Sequence, residues 1–210
     1  MAVEGIDGSG LTTHSKLLVE RLKKEGFKAI YTKEPTWSPI GSLIRELLYS
    51  DQPLDSDIMA LLYAADRLWH LRVSSCVGPG VLKLLEEGYL VISDRYKYSN
   101  VAYQGIKSGA DWVELLNSRA PEADLVIYID VPVSIALSRI KERPSRAYYE
   151  TKERLEEIKK ALESVLKKVE ARGVKVIRVE GVSPTGSPRP IEEVHEEVYS
   201  KVVKHIRGRL

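Results

Sequence analysis

The sequence predicts an α/β fold in which a parallel five-stranded sheet is flanked by helices. Apolar, β-branched runs alternate with helical patterns along the chain. Continuous apolar strands separated by helices are typical of a parallel sheet that is covered on both faces. A glycine-rich loop follows the first run, as in strand-to-helix turns that bind phosphate. The chain has 210 residues and no Pro/Gly/Ser-rich linker divides it, so we expect one domain, residues 1–210.

Each strand is predicted from a short run rich in Val, Ile, Leu and Tyr. The first run is only three residues long, so we expect this strand to be short or frayed. The other runs have the length of ordinary buried strands. The predicted strands are residues 2–4, 27–32, 89–93, 125–130 and 174–179.

Helices are predicted between the strands. In the stretch 151–172 the apolar residues, among them Leu155, Ile158 and Leu162, share one face, and Glu/Lys pairs occupy the other. That charged face is read as solvated helix surface. Residues 181–190, rich in Gly, Ser and Pro, are read as a surface loop. The predicted helices lie at about 10–25, 39–49, 56–87, 98–117, 132–142, 150–172 and 190–208.

The loop at residues 4–12 matches the phosphate-binding pattern G-x-x-x-x-G-K-[ST] except at one position. Gly5 and Gly10 hold the two glycine positions, and Leu11 stands where the pattern has lysine. Backbone N–H groups of such a loop surround phosphate oxygens at a helix N-terminus, and Thr12 is placed to hold Mg2+ through its hydroxyl. The alternative is an ordinary tight turn between strand and helix, because glycines are common there.

Composition excludes several classes of protein. Lys+Arg (32) and Asp+Glu (30) nearly cancel, so no global field recruits nucleic acid or an anionic membrane. A single cysteine, Cys76, excludes a disulfide framework and a zinc-finger cluster. No leader or membrane span is visible, and a cytoplasmic protein is expected. The 30% charged residues and few Asn, Gln, Cys and Met fit a thermophilic source.

Polar motifs follow four of the predicted strands. They are the loop at 5–12, then 34–36, then 94–96, and finally Asp130. Ligands of open parallel sheets bind beyond the carboxyl ends of the strands, so these motifs are expected to converge on one cleft. Each also has a structural reading: 94–95 as a surface ion pair, Asp130 as a helix cap, and the arginines between 139 and 146 as a helix end favoured by the dipole.

Taken together, these motifs resemble one family, the thymidylate kinases of the P-loop nucleoside monophosphate kinase group. The matching segments run in family order over residues 1 to about 180. The resemblance implies a three-layer P-loop NTPase fold with a short lid at about 140–151. The segments are 4–10, 34–36, 41–45, 63–70, 94–105, 121–132 and 139–143.

The resemblance implies transfer of the γ-phosphoryl group of ATP to dTMP. Asp7 would bond the sugar 3′-hydroxyl, Tyr63 would stack on thymine, and Arg67 and Gln104 would read its polar edge. Tyr103 would lie against the deoxyribose where a 2′-hydroxyl would project. The implied dTMP-binding residues are Asp7, Glu34, Pro35, Arg45, Tyr63, Arg67, Arg95, Ser99, Tyr103 and Gln104.

On the donor side the resemblance implies ATP with Mg2+, and a homodimer packed through residues 39–87. The implied ATP- and phosphate-binding residues are Gly5, Ile6, Asp7, Gly8, Ser9, Gly10, Leu11, Thr12, Thr13 and Arg139. The implied metal ligands are Thr12 and Asp94. The implied catalytic residues are Asp7, Asp94, Arg95, Arg143 and Arg146, the last two in the lid.

Two departures from the family pattern bear on activity. Leu11 removes a charge from the β- and γ-phosphates, and His14 replaces the usual glutamine. Lys16 lies ~140° around the helix from the required direction, so Lys97 or the lid arginines are the candidates for compensation. Two other functions stay open: a catalytically weakened nucleotide-binding regulatory protein, and a kinase of another nucleotide or deoxynucleoside.

Overall fold

The computed structural model describes residues 1–50, 53–142 and 148–208. Within these ranges, five parallel strands form a sheet with helices on both faces. The predicted fold class is therefore confirmed. The strands of this sheet are β1 (Ala2–Glu4), β2 (Ala29–Lys33), β5 (Leu90–Asp94), β6 (Leu125–Asp130) and β7 (Lys175–Glu180). They lie side by side in the order β2-β5-β1-β6-β7.

Helices occupy the connections between these strands. A two-stranded hairpin lies between two of the helices. The hairpin strands are β3 (Ser74–Ser75) and β4 (Gly78–Pro79). The helices are α1 (Leu11–Lys24), α2 (Pro39–Leu48), α3 (Ser56–Arg72), α4 (Val81–Glu86), α5 (Lys97–Ser108), α6 (Ala110–Leu116), α7 (Val133–Lys141), α8 (Lys152–Ala171) and α9 (Ile191–Arg207).

Buried apolar side chains cover each face of the sheet. On one face, Leu18 and Leu22 of α1 and Val198 of α9 pack on strand residues such as Ile127. On the other face, apolar residues of helices α3 to α6 and α8 form one cluster with strand residues such as Val126. The strands read as continuous apolar runs because both of their faces are buried, as expected of a parallel sheet.

The short strand β1 lies at the centre of the sheet, between β5 and β6. Val3 is paired with Asp94 of β5, and Lys33 of β2 is paired with the same residue. Two further backbone bonds extend this register: Arg95 N donates to Val3 O (2.9 Å) and Glu34 N donates to Asp94 O (3.0 Å). The carboxyl ends of β1, β2 and β5 are therefore level, and the loops that follow them start side by side.

Two of the predicted helices are wrong, because each is divided into two helices in the structure. The predicted helix 56–87 ends at Arg72, and the hairpin separates it from α4. A Cβ at Gly80 would lie 2.6 Å from the carbonyl oxygen of Leu71, so this close chain crossing accepts only glycine. The predicted helix 98–117 breaks at Gly109, whose φ of 87° is disfavoured for residues with a side chain.

The predicted lid at about 140–151 is described in part. Helix α7 ends at Lys141, and the chain is described again from Tyr148, whose N–H donates to Leu48 O at 3.1 Å. Arg143 and Arg146 lie outside the described residues. Among the helices of the described ranges, none is long and apolar enough to cross a membrane.

Candidate active site

A cavity of about 330 Å3 opens at the carboxyl ends of β1, β2 and β5. Most of the residues that the sequence singled out line it, although they come from distant parts of the chain. These residues are Ile6, Asp7, Gly8, Gly10, Leu11, Thr12, Thr13, Glu34, Pro35, Arg45, Tyr63, Arg67, Asp94, Arg95, Ser99, Tyr103 and Gln104. The polar motifs at 5–12, 34–36 and 94–96 therefore meet in one cavity, as the sequence predicted.

The loop between β1 and α1 has the conformation of a phosphate cradle. Gly8 and Gly10 have φ values of 82° and 97°, which L residues rarely adopt. A Cβ at Gly8 would lie 2.4 Å from the carbonyl oxygen of Ala136, so α7 packs directly on the loop. Gly10 then caps α1, and the free N–H groups of the first helical turn face the cavity with the positive end of the helix dipole.

The Leu11 side chain borders the cavity but is mostly buried beneath the loop. It is 6% exposed and packs in the apolar cluster that includes Val3 and Ile129. A lysine at this position normally extends toward the phosphates, whereas Leu11 fills space beneath the loop. The loop itself therefore presents backbone donors and no side-chain cation.

The guanidinium of Arg139, in α7, contacts the same loop. Its Nη1 donates to the carbonyl oxygen of Gly8 at 3.2 Å. Arg139 follows Ala136 by one helical turn, which explains why its guanidinium reaches a loop that α7 already touches. This places a positive charge beside the loop that lacks its lysine.

Thr12 and Asp94 meet at the start of α1. Thr12 Oγ1 donates to Asp94 Oδ2 at 2.5 Å, and the Tyr31 hydroxyl donates to the same oxygen at 3.2 Å. The described residues contain no group of three or more His, Cys, Asp or Glu that could enclose a metal. One hydroxyl and one carboxylate fit Mg2+, because this ion usually keeps few protein ligands and completes its shell with water and phosphate oxygens.

Arg95 is held in place by several oxygens. Its Nη1 donates to Gly5 O (2.9 Å) and Ser99 Oγ (3.0 Å), and its Nη2 donates to Asp7 Oδ1 (2.7 Å). The Arg95 backbone has a φ of 69°, a conformation that costs free energy in a non-glycine residue. This geometry turns the side chain back over the first loop instead of along the direction of β5.

Asp7 connects the phosphate loop with the other half of the cavity. While Oδ1 accepts from Arg95, Oδ2 accepts from the Tyr103 hydroxyl at 2.9 Å. The Arg95 guanidinium also lies 5.1 Å from the centre of the Tyr103 ring. Burial raises the pKa of Tyr103 well above its usual value, so this phenol remains a neutral donor.

Beneath Arg95, a buried carboxyl group orders the start of α5. Glu4 Oε1 accepts from the backbone N–H of Tyr96 (2.9 Å), and Glu4 Oε2 accepts from the Ser99 hydroxyl. Burial raises the pKa of Glu4 to about 7, against the opposing effect of these hydrogen bonds and Arg95. The sequence placed Glu4 in the motif without assigning it a partner.

Arg67 is buried at the inner end of the cavity, with 1% of its surface exposed. Its Nη2 lies 2.7 Å from Glu34 Oε2. Its Nη1 donates to Asn100 Oδ1 (3.3 Å) and to Asn117 Oδ1. Asn100 and Asn117 were missed by the sequence reasoning, because an amide at a helix surface or helix end carries no distinctive pattern.

Gln104 has a defined orientation in a chain of side-chain hydrogen bonds. Asn100 Nδ2 donates to Gln104 Oε1 (3.0 Å), which leaves Gln104 Nε2 as the donor to the Tyr149 hydroxyl (3.0 Å). The Tyr149 ring also packs edge-to-face on Tyr103, with 5.4 Å between the centroids. Tyr149 belongs to the described part of the predicted lid and was also missed.

Arg45 lines the cavity, yet backbone oxygens already engage its guanidinium. Nη1 donates to Pro35 O (3.2 Å) and to Thr36 O, and Nη2 donates to Ser42 Oγ (3.0 Å). The Trp37 ring lies 4.1 Å from the guanidinium carbon. The arrangement fixes Arg45 at the rim.

Two expectations about the site are wrong. Asp130, expected in the cleft or at a helix cap, forms ion pairs with Lys159 (2.6 Å) and Arg178. Lys97, a candidate replacement for the missing lysine, lies 3.1 Å from Glu122 and donates to Ala120 O at 3.0 Å, so it faces a separate groove between α5, α6 and α8.

Comparisons with known proteins agree on one family. The family model described as "Thymidylate kinase" matches residues 3–198. A protein of Aeropyrum pernix named "Putative thymidylate kinase" is 52% identical over 206 residues, covering 96% of this chain and 94% of the relative. Proteins named "Probable thymidylate kinase" from Pyrococcus abyssi and Pyrobaculum aerophilum are each 37% identical, covering 98% and 99% of this chain and 95% and 97% of theirs. These archaeal sources fit the thermophile-like composition.

Proposed function

The chain belongs to the thymidylate kinase family, and from that premise we propose that it transfers the γ-phosphoryl group of ATP to dTMP. The observation that carries this proposal is the position of Asp7, which lies in the phosphate loop and bonds both Arg95 and Tyr103. The proposed donor and acceptor sites would thus share one wall of the cavity. Phosphoryl transfer needs this adjacency, because catalysis consists mainly of alignment and charge stabilisation.

In the proposed reaction, a phosphate oxygen of dTMP attacks the γ-phosphorus of ATP. The bond from that phosphorus to the bridging oxygen breaks, which yields dTDP and ADP. The amides of the loop around Gly8 and Gly10 would hold the donor phosphates, and Arg139 would add positive charge. No covalent intermediate with the protein is required.

Mg2+ belongs to this proposal as a cofactor held by Thr12 and Asp94. When bound, it would neutralise negative charge on the donor phosphates. The contact between Thr12 Oγ1 and Asp94 Oδ2 supports the choice, because it brings two hard oxygen ligands together where α1 begins. Tyr31 would then restrain the Asp94 carboxylate from the side of β2.

The acceptor side supports a thymine base. Gln104 Oε1 is occupied by Asn100, so Gln104 offers a donor, and Arg67 offers donors only. Donors suit the carbonyl oxygens of thymine and leave the amino group of cytosine unmatched. Tyr63 lines the cavity and would stack on the base, and Tyr103 would occupy the space of a ribose 2′-hydroxyl.

Arg95 is proposed to hold the phosphate that is being attacked. Its partners Gly5 O, Ser99 and Asp7 fix the guanidinium before substrate binds, so little reorganisation is needed during the reaction. Arg143 and Arg146, in the predicted lid, are proposed to supply further positive charge to the phosphates. Closure of that lid would exclude water, which competes as an acceptor.

A second copy of the chain is proposed to cover the outer faces of α2 and α3. Ile58 and Leu61 of α3 are 55% and 50% exposed, and Leu43 of α2 is 44% exposed. Large exposed apolar side chains on neighbouring helices are typical of protein interfaces. This homodimer and a cytoplasmic location, where the nucleotide substrates are available, belong to the same proposal.

The test is a coupled ADP-release assay with ATP, Mg2+ and a panel of dTMP, dUMP, dCMP and UMP. We expect turnover of dTMP, a modest preference for dTMP over dUMP because a methyl group is worth ~1–3 kcal/mol, and little turnover of dCMP or UMP. Equal turnover of UMP and dTMP would overturn the thymidylate assignment. Binding of dTMP without turnover would favour the weakened regulatory protein.

A further inference from the structure

His70 lies in a buried hydrogen-bonded chain behind the cavity wall. It follows Arg67 by one turn of α3, and 1% of its surface is exposed. His70 Nδ1 lies 2.9 Å from Glu34 Oε1, while Arg67 Nη2 lies 2.7 Å from Glu34 Oε2. One carboxylate thus bridges the histidine and the arginine.

The other histidine nitrogen also has a partner. His70 Nε2 lies 2.6 Å from Thr32 Oγ1, and the backbone N–H of Cys76 donates to that hydroxyl oxygen at 3.5 Å. Thr32 belongs to β2 and Cys76 to the turn of the hairpin. The chain of contacts therefore runs from the hairpin through the sheet to α3.

The protonation states follow from the chemistry of the partners. Burial opposes the charge on Glu34, but Arg67 and His70 outweigh it and lower the pKa of this carboxyl group. An ionised carboxylate only accepts, so His70 Nδ1 carries the hydrogen.

We propose that His70 is a positioning residue for nucleotide acceptor binding, holding the Glu34 carboxylate in the orientation that aims Arg67 at the base. The proposal rests on the proposed function of the cavity. His70 is absent from the cavity lining, so it acts through Glu34 rather than on the substrate. Arg67 contacts Asn100 and Asn117 through Nη1, whereas its Nη2 depends on Glu34.

The geometry of the histidine ring offers a matched pair of variants. The side-chain amide of His70→Asn places an N–H near the position of Nδ1 and reaches Glu34. The amide of His70→Gln extends toward the position of Nε2 and reaches Thr32 instead. Both variants are polar and similar in size, so they differ mainly in which hydrogen bond survives.

The experiment measures KM for dTMP, KM for ATP and kcat in the full-length protein and in His70→Asn, His70→Gln and His70→Phe. Loss of a buried bond to a charged group corresponds to ~10- to 100-fold. We expect KM for dTMP to rise at least tenfold in His70→Gln and His70→Phe and to stay within threefold in His70→Asn. KM for ATP should change little in all three.

Other outcomes have defined meanings. If His70→Asn and His70→Gln raise KM for dTMP equally, or if KM for ATP rises in parallel, His70 is a packing residue and the inference is overturned. An unchanged KM in every variant overturns it as well. If His70→Phe fails to fold, the Asn and Gln pair still decides. Failure of the unmodified protein to phosphorylate dTMP overturns the proposed function, not the role of His70 in orienting Glu34, which dTMP titration would then test.

Discussion

The guanidinium of Arg139 donates a hydrogen bond from Nη1 to the carbonyl oxygen of Gly8, across a distance of 3.2 Å. Leu11, at the position of the missing loop lysine, is meanwhile buried in the core below. Lys97 is engaged with Glu122 on another side of the molecule. Of these two candidates for compensation, Arg139 therefore contacts the phosphate loop, whereas Lys97 is engaged elsewhere.

Restoring the lysine with Leu11→Lys should bring little activity and cost stability. The new ammonium would have to leave an apolar cluster, and the lost burial of Leu11 is worth ~1.5–3 kcal/mol. We expect kcat to rise less than threefold and the unfolding midpoint to fall. Steady-state kinetics and thermal unfolding measure the two effects.

The matched control for this substitution is Leu11→Met, which keeps an apolar side chain of similar volume. It should preserve both kcat and the unfolding midpoint. A rise in kcat of tenfold or more in Leu11→Lys, absent from Leu11→Met, would show that nothing compensates for the lysine and that Arg139 has another role.

Removing Arg139 should damage the chemical step. A preorganised donor at developing charge is worth ~3–4 kcal/mol, so Arg139→Ala should lower kcat by ~10²–10³ with a small effect on KM for dTMP. Arg139→Lys should recover part of the loss, because it retains the charge and loses the fork of N–H donors. Lys97→Ala serves as the control, and its kcat should stay within threefold of the parent value. Comparable losses in Lys97→Ala and Arg139→Ala would contradict the assignment.

Arg95→Ala and Arg67→Ala should change different kinetic constants. Arg95 is held at the boundary of the proposed donor and acceptor sites, so its loss should mainly lower kcat. Arg67 lies at the inner end of the cavity, so its loss should mainly raise KM for dTMP. Initial-rate kinetics with both substrates varied will separate the two. If both variants changed only KM, Arg95 would be a binding residue.

Much of the fold could be predicted from the sequence, because apolar strand runs alternate with helical patterns and polar motifs follow the strands. Apolar runs marked all five strands of the sheet, and the motifs after three of them meet in one cavity. The helix breaks between Arg72 and Val81 and at Gly109 were missed, since they depend on a local chain crossing at Gly80 and on a positive φ at Gly109, which periodicity does not register. Lys97 was misplaced because adjacency in sequence does not give direction around a helix.

Partners supplied by distant elements were the least predictable part of the site. Tyr149 reaches Gln104 from the segment before α8, and Asn117 reaches Arg67 from the end of α6. Neither contact has a sequence pattern, because it depends on tertiary packing between elements far apart in the chain. His70 was noted within a motif, yet its bond to Glu34 became visible only once β2 and α3 were placed together.

His14 gives the protein a specific sensitivity to acid. Burial, with smaller contributions from His195 and Arg139, lowers the pKa of His14 to about 4 from 6.5. Its Nδ1 is buried and has no hydrogen-bond partner among the described residues. The folded state therefore favours the neutral ring, whereas the unfolded chain takes up a proton at higher pH.

The sign of the effect follows from this order of pKa values. The contribution of His14 to stability is complete above about pH 6.5 and is lost as the pH falls toward 4, by ~3 kcal/mol in total. His14→Gln should remove this component, so the free energy of unfolding, measured by urea denaturation at pH 7 and pH 4.5, should fall less in the variant than in the parent. His195→Gln is the control, because His195 is less buried and should change the pH dependence less. Equal losses in the parent and His14→Gln would mean that His14 titrates in the folded protein as it does in water.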